Sequence, residues 1–202
     1  MKLSSKAVGG VQSPAFLLVA GILWVCSLVA GFSILAREEF TPVKSTQQKP
    51  DFPANSTIRL AQDKPTLLLF VHPLCPCTRA TLHELEDLLT SVQNKVAVDI
   101  VFTIPDGLPS GWEKEDLYKS AMAIPGVHVL VDQGGREAQR FGVRGSGHTL
   151  LYSSSGQLLF SGGITGSRGH EGDNAGQSAV ISFILHGHAL VSRTPVFGCS
   201  LL

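Results

Sequence analysis

The sequence predicts an α/β domain, a mixed central sheet flanked by helices, preceded by one transmembrane helix. Three observations lead there. Ala15 to Ala36 is an uncharged apolar stretch of about 22 residues, the length that spans a bilayer core as a helix. Behind it, short β-branched or leucine-rich runs alternate with amphipathic stretches, which demands mainly parallel strands with helices packed on them. The last two strands are separated only by Ser153-Ser154-Ser155-Gly156, a turn that makes them an antiparallel hairpin and the sheet mixed.

The chain has 202 residues, room for one domain and an anchor. Hydrophobic residues make up 44% and charged residues 16%, which excludes wholesale disorder. Sixteen basic and sixteen acidic side chains cancel, and no long basic run suggests a nucleic-acid partner. Four cysteines are too few for a disulfide-stapled scaffold, so their placement carries the information.

Lys2, Lys6 and the amino terminus precede the apolar stretch, and Arg37, Glu38 and Glu39 follow it. Positive charge stays on the cytoplasmic side. Residues 1–14 are therefore expected inside, 15–36 across the membrane, and the remainder outside the cytoplasm (periplasmic if the source is bacterial). Trp24 lies mid-span and gives no interfacial anchor. A cleaved signal peptide would have an apolar region of about 7–15 residues and a small-x-small site. This stretch is longer, and Ser33-Ile34-Leu35-Ala36 is a poor site, so the reading is a retained signal-anchor. A buried core helix would show a polar face, which this segment lacks.

Residues 37–57 read as a linker, because Thr41-Pro42, Lys49-Pro50 and Phe52-Pro53 break any helix and Ser45-Thr46-Gln47-Gln48 is polar. The domain is expected over 58–187 and a tail over 188–202. Thr66 to Val71 is a short unbroken apolar run, as in a strand buried on both faces. The next stretch places Leu82, Leu85, Leu88, Leu89 and Val92 on one helical face and Glu84, Glu86 and Asp87 on another. Further strands are expected at Val96 to Ile104, Val127 to Val131, Thr149 to Tyr152 and Gln157 to Ser161. Helices are expected at Trp112 to Ala123, Gly135 to Phe141 and Gln177 to Leu185.

Cys75 and Cys77 follow the first strong strand and open a helix. A helix N-terminus offers free N–H groups and about half a positive charge, and both favour thiolate over thiol. An activated, exposed sulfur is expected there. Pro73 and Pro76 stiffen the loop, and Arg79, one turn into the helix, is expected to add positive charge.

The segment Phe70-Val71-His72-Pro73-Leu74-Cys75-Pro76-Cys77-Thr78-Arg79 resembles the strand-to-helix active-site segment of thioredoxins. Phe141-Gly142-Val143-Arg144-Gly145 followed by Thr149-Leu150-Leu151-Tyr152 resembles the thioredoxin segment before the hairpin, and Gly156-Gln157 to Gly162-Gly163 its turn and last strand. The likeness covers roughly residues 60–187 and implies a thioredoxin-like fold with the extra central strand and helix of membrane-tethered members. A weaker likeness is to proteins called RedB, which share His-Pro-x-Cys-Pro-Cys and Gly-His-Glu-Gly-Asp-Asn-Ala-Gly.

Two departures matter. The cysteines are spaced Cys-x-Cys, so if Cys75 matches the nucleophile, Thr78 stands where the second cysteine would be. A Cys75–Cys77 disulfide closes a tight ring, and strained disulfides are more easily reduced. In place of the family's cis-proline stands Ser146-Gly147-His148-Thr149. The resemblance implies that His148 faces Cys75 across the cleft, with room for a metal beside the sulfurs. In this fold the long glycine-rich loop at 162–176 returns to the active-site end, so Arg168, His170, Glu171 and Asp173 are candidates to reach it. Asp173 or Asn174 is expected to cap the last helix.

His148 and His72 serve equally as hydrogen-bonded turn and strand-end histidines, and Cys26 is anchor packing. Cys199, after Pro195, reads as a solitary tail thiol, with resolution of a mixed disulfide on Cys75 as the alternative.

The resemblance implies a thiol–disulfide oxidoreductase. Cys75 attacks, Cys77 resolves, and His148 and Arg79 assist, acting on thiol or disulfide proteins of the envelope such as apocytochromes. That chemistry needs no cofactor. The alternative is a copper or zinc protein using Cys75, Cys77 and His148, with His72 or His170. A thiol peroxidase, with Cys75 sulfenic acid captured by Cys77 or Cys199, is a third reading. The absence of a Pro-x-x-x-Thr-x-x-Cys loop counts against it.

Overall fold

The computed structural model describes residues 13–44, 48–107, 111–112 and 116–201. The chain divides into two units, residues 1–39 and 40–202. The first contains α1, Pro14–Glu39, a 26-residue helix with no buried side chain. At 1.5 Å per residue it is roughly 39 Å long, more than a bilayer core. Its apolar sequence and length suffice to cross a membrane. Ser27 and Ser33 donate their hydroxyls back to the carbonyls of Trp24 and Val29, both at 2.7 Å, so these polar groups need no water.

The second unit contains β1 (Thr66–Val71), α2 (Thr78–Val92), β2 (Ala97–Ile104), α3 (Asp116–Ala123), β3 (Val127–Gln133), α4 (Arg136–Arg140), β4 (His148–Tyr152), β5 (Leu158–Gly163) and α5 (Ala175–His186). Each expected element is present, with ends displaced by a few residues. The expected start of α3 falls partly on residues 113–115, outside the described residues. The sheet runs β3-β2-β1-β4-β5. β1, β2 and β3 are parallel, while β4 is antiparallel to both β1 and β5. This is a thioredoxin-like fold.

β1 is central, and every one of its residues is buried. Alternation along the strand sends Leu67, Leu69 and Val71 to one face and Leu68 and Phe70 to the other. The first face packs on α2 through Leu82, Leu85 and Leu88, on α3 through Leu117 and Ala121, and on α5 through Ala179 and Val180. The second packs on α4 through Ala138 and on Phe141 and Tyr152. Truncating a buried leucine of β1 to alanine would cost about 2–5 kcal/mol.

Two segments expected to be peripheral are built into this unit. Within 40–57, Val43 donates its N–H to the Val196 carbonyl at 2.8 Å, and Phe52 packs edge-on against Phe141 and Tyr152. Ser56 and Thr57 donate to the Glu137 carboxylate at 2.7 and 2.9 Å. Prolines exclude a helix there, but they leave an extended strap free to dock. The tail docks as well. Thr194 donates to the Ser161 carbonyl, Gly163 to Pro195, Ser146 to Cys199 and Leu201 to Arg144, over 2.8–3.3 Å. Leu201 is buried in the second core.

Candidate active site

The site lies where β1 gives way to α2. After Val71 the chain folds through two successive tight turns. Cys75 donates its N–H to the His72 carbonyl, and Thr78 donates to the Cys75 carbonyl, each at 3.1 Å. His72 donates its N–H to Ser146 Oγ at 2.9 Å, and its Nδ1 accepts from Leu74 N–H at 3.1 Å. Those bonds make His72 a loop-shaping residue, and burial lowers its pKa. α2 begins at Thr78, with Cys77 in the cap position at φ −66°, ψ −21°.

The sulfur expected to be exposed is buried instead. Cys75 is only 1% exposed, and Cys77 is half-buried. The tail and the Ser146 turn close over Cys75. Gly147, at φ +86°, turns the chain there and donates its N–H to the Phe70 carbonyl at 2.8 Å. Ser146 Oγ lies 2.8 Å from Thr78 Oγ1.

Burial alone would push the Cys75 thiol up. Donors outweigh it. The side chain and backbone of Cys199, then the Thr78–Ser146 hydroxyl pair, in which one hydroxyl donates to the other and a single proton is left for the sulfur, bring its pKa below the ordinary thiol value. Cys77 moves the other way, raised by burial and by the charge on Cys75, against the opposing pull of Arg168. Cys199 is pushed up to about 12 by burial and then by its hydrogen bond to Cys75. Of the three thiols, Cys75 is thus the one whose surroundings favour the thiolate. All four cysteines are free thiols here.

Arg79 is exposed, and the cation that acts on these thiols is Arg168. Its Nη1 donates to the Gly198 carbonyl at 2.8 Å, tying the 162–176 loop to the tail. The other charged loop residues stay outside. His170 and Asp173 are exposed, and Glu171 pairs with His83 at 2.9 Å. The loop is held on α2 by buried Glu84, which accepts from Gly172 N–H and from Asn174 Nδ2. Asn174 caps α5 through Gln177 N–H at 2.8 Å.

His148 does not take the place expected for it. Strand alternation puts it level with Phe70, on the face opposite α2. It is 2% exposed, and its Nε2 lies 2.9 Å from Ser161 Oγ. Ser161 spends its proton on Gln48 Oε1, so it accepts from His148 Nε2–H, the neutral tautomer. Burial lowers the His148 pKa to about 4. The metal set of Cys75, Cys77, His148 and His170 is therefore not assembled. Among the described residues, no three His, Cys, Asp or Glu side chains converge as metal ligands.

The donors that matter most, Thr78, Ser146 and Cys199, were not assigned this role from sequence. Thr78 and Ser146 stood at the two positions where the family pattern departs, which was the available signal. Gly198 was a second signal: a Cβ there would lie 2.0 Å from the Ser146 carbonyl oxygen, so only glycine lets the tail approach.

No protein-family model and no curated protein matches this sequence. Solved structures do. An uncharacterized conserved protein from Geobacillus kaustophilus is 16% identical, with a TM-score of 0.59 over 80% of this chain and 92% of that one. A hypothetical protein from Sinorhizobium meliloti is 16% identical, with a TM-score of 0.57 over 80% and 94%. The exposed lipoprotein thioredoxin of Streptococcus pneumoniae is 20% identical, with a TM-score of 0.45 over 61% and 84%. At these identities the likeness is one of fold.

Proposed function

We propose that this protein is a membrane-tethered thiol–disulfide oxidoreductase with Cys75 as its nucleophile. The observation that carries the reading is that Cys199 and the Thr78–Ser146 hydroxyl pair converge on one cysteine at the start of a helix. The thiolate is the attacking species in disulfide exchange. Cys75 thiolate attacks one sulfur of a partner disulfide; that S–S bond breaks, and the other sulfur leaves as a thiolate. A second thiol of this protein then loses its proton and displaces the partner from Cys75. Two protein thiols become a disulfide, and the partner gains two electrons. The reverse sequence oxidises a partner dithiol.

Two thiols contact Cys75 and qualify for the second step, Cys77 as the spacing suggested and Cys199. The substrate class is thiol or disulfide proteins of the envelope, with α1 as a retained anchor and the domain outside the cytoplasm. Lys2 and Lys6 before the span support that orientation. The RedB likeness is compatible with this chemistry and adds no substrate.

The test uses the full chain in detergent, a dithiol donor and disulfide-bonded insulin as probe. Wild type is expected to catalyse insulin reduction and Cys75→Ser to give only the background rate. Wild-type turnover retained in Cys75→Ser would refute the assignment.

A further inference from the structure

We infer that Cys199 is the resolving thiol, and that the oxidised protein carries a Cys75–Cys199 disulfide which clamps the C-terminal tail over the site. This rests on the oxidoreductase reading and assigns its second step.

The tail is positioned for it. Arg193 to Leu201 runs along β5 and across the turn before β4, held by main-chain bonds at Ser161, Gly163, Ser146 and Arg144. These bonds bracket Cys199, whose carbonyl accepts from Ser146 N–H at 2.8 Å, with Ser200 bridging to Gly145. Gly198 permits the approach, and Arg168 holds its carbonyl. Cys199 thus presents both its N–H and its S–H to the Cys75 sulfur.

Cys77 is the weaker candidate, although its side chain also contacts Cys75. The Thr78-to-Cys75 main-chain bond and the helical dihedrals of Cys77 make 75–78 a helix-like turn. Side chains two residues apart on such a turn diverge, whereas a disulfide needs its Cβ atoms about 3.8 Å apart. Closing Cys75 to Cys77 through Pro76 alone would distort the start of α2. Closing Cys75 to Cys199 joins segments far apart in sequence, where a cross-link restricts the unfolded chain most.

In the balanced step, the partner's sulfur sits on Cys75 as a mixed disulfide. Cys199 gives up its proton, its sulfur bonds to Cys75, and the partner departs as a thiolate. The oxidant is the partner disulfide. Because Cys75 is covered, a protein disulfide gains access when the tail tip lifts, and its return delivers Cys199.

The experiment maps the disulfide in wild-type full chain oxidised with oxidised glutathione, then blocked and digested with trypsin. Cleavage after Arg59, Arg79 and Arg193 places Cys75 and Cys77 in peptide 60–79 and Cys199 in 194–202. The expected product is 60–79 joined to 194–202, with Cys77 alkylated; the link is lost in Cys75→Ser and kept in Cys77→Ser. With insulin, Cys199→Ser is expected to accumulate a mixed disulfide on Cys75. An internal Cys75–Cys77 bond with Cys199 alkylated, or a link that survives in Cys75→Ser, overturns the inference while the oxidoreductase reading stands. If Cys75 enters no disulfide at all, the oxidoreductase reading fails, and the inference with it.

Discussion

Cys75, in the loop after β1, and His148, at the start of β4, sit at the same end of the sheet and are almost equally buried, at 1% and 2% exposure. Burial opposes charge on both. At His148 nothing answers it: one serine hydroxyl accepts from the ring, and the side chain is held neutral. At Cys75, Cys199 and the Thr78–Ser146 hydroxyl pair answer it with hydrogen bonds, and the thiol pKa is lowered. Depth does not decide the chemistry of a buried titratable group here; the number of donors aimed at it does.

The largest expected effect breaks the pair at His148. Between pH 6.5 and about 4 the unfolded chain binds this proton and the folded chain does not. Stability is therefore complete above pH 6.5 and falls as pH drops through that window, by up to about 3 kcal/mol from this group. A melting temperature followed across that range should show the decline, and His148→Gln should flatten it without moving the Cys75 titration. A parallel shift of the Cys75 titration in that variant would mean that the two sites are coupled.

Next is Ser146→Ala. It removes one member of the hydroxyl pair beside the Cys75 sulfur and the acceptor of His72 N–H. Hydrogen bonds to charged groups contribute about 1.5–3 kcal/mol, so the Cys75 pKa should rise and its alkylation near neutral pH should slow. Alkylation rate against pH, resolved by peptide, reads this directly. An unchanged profile would remove Ser146 from the donor set.

Smaller still is Arg168→Met. Arg168 lowers the Cys77 pKa, so its loss should raise it further and slow Cys77 alkylation near neutral pH. The fall should be less than about tenfold, as for a partly solvated charge. Faster alkylation would show that Arg168 shields Cys77 instead of polarising it.

The sequence made the sheet and the cysteine corner legible, because their signals are side-chain periodicities. Thr66 to Val71 has no polar break, and Leu82, Leu85 and Leu88 recur at helical spacing, so strand and helix were each placed. The docked straps were not legible, because their bonds run from main chain to main chain, as between Val43 and Val196 or Ser146 and Cys199. Phe52 was an overlooked sign that 48–57 packs. His148 was misplaced for a different reason. The resemblance supplied its position along the chain, while the face it occupies follows from pairing with Phe70 and sharing a side with Leu150 and Tyr152.

The central claim is that the site holds one thiolate and that it belongs to Cys75. The direct measurement is ultraviolet thiolate absorbance of the reduced full chain against pH, compared with Cys75→Ser. The account predicts one thiolate titrating below the free-cysteine value of about 8.5 in wild type and none there in the variant. A low transition that persists in Cys75→Ser, or its absence from wild type, would contradict the account.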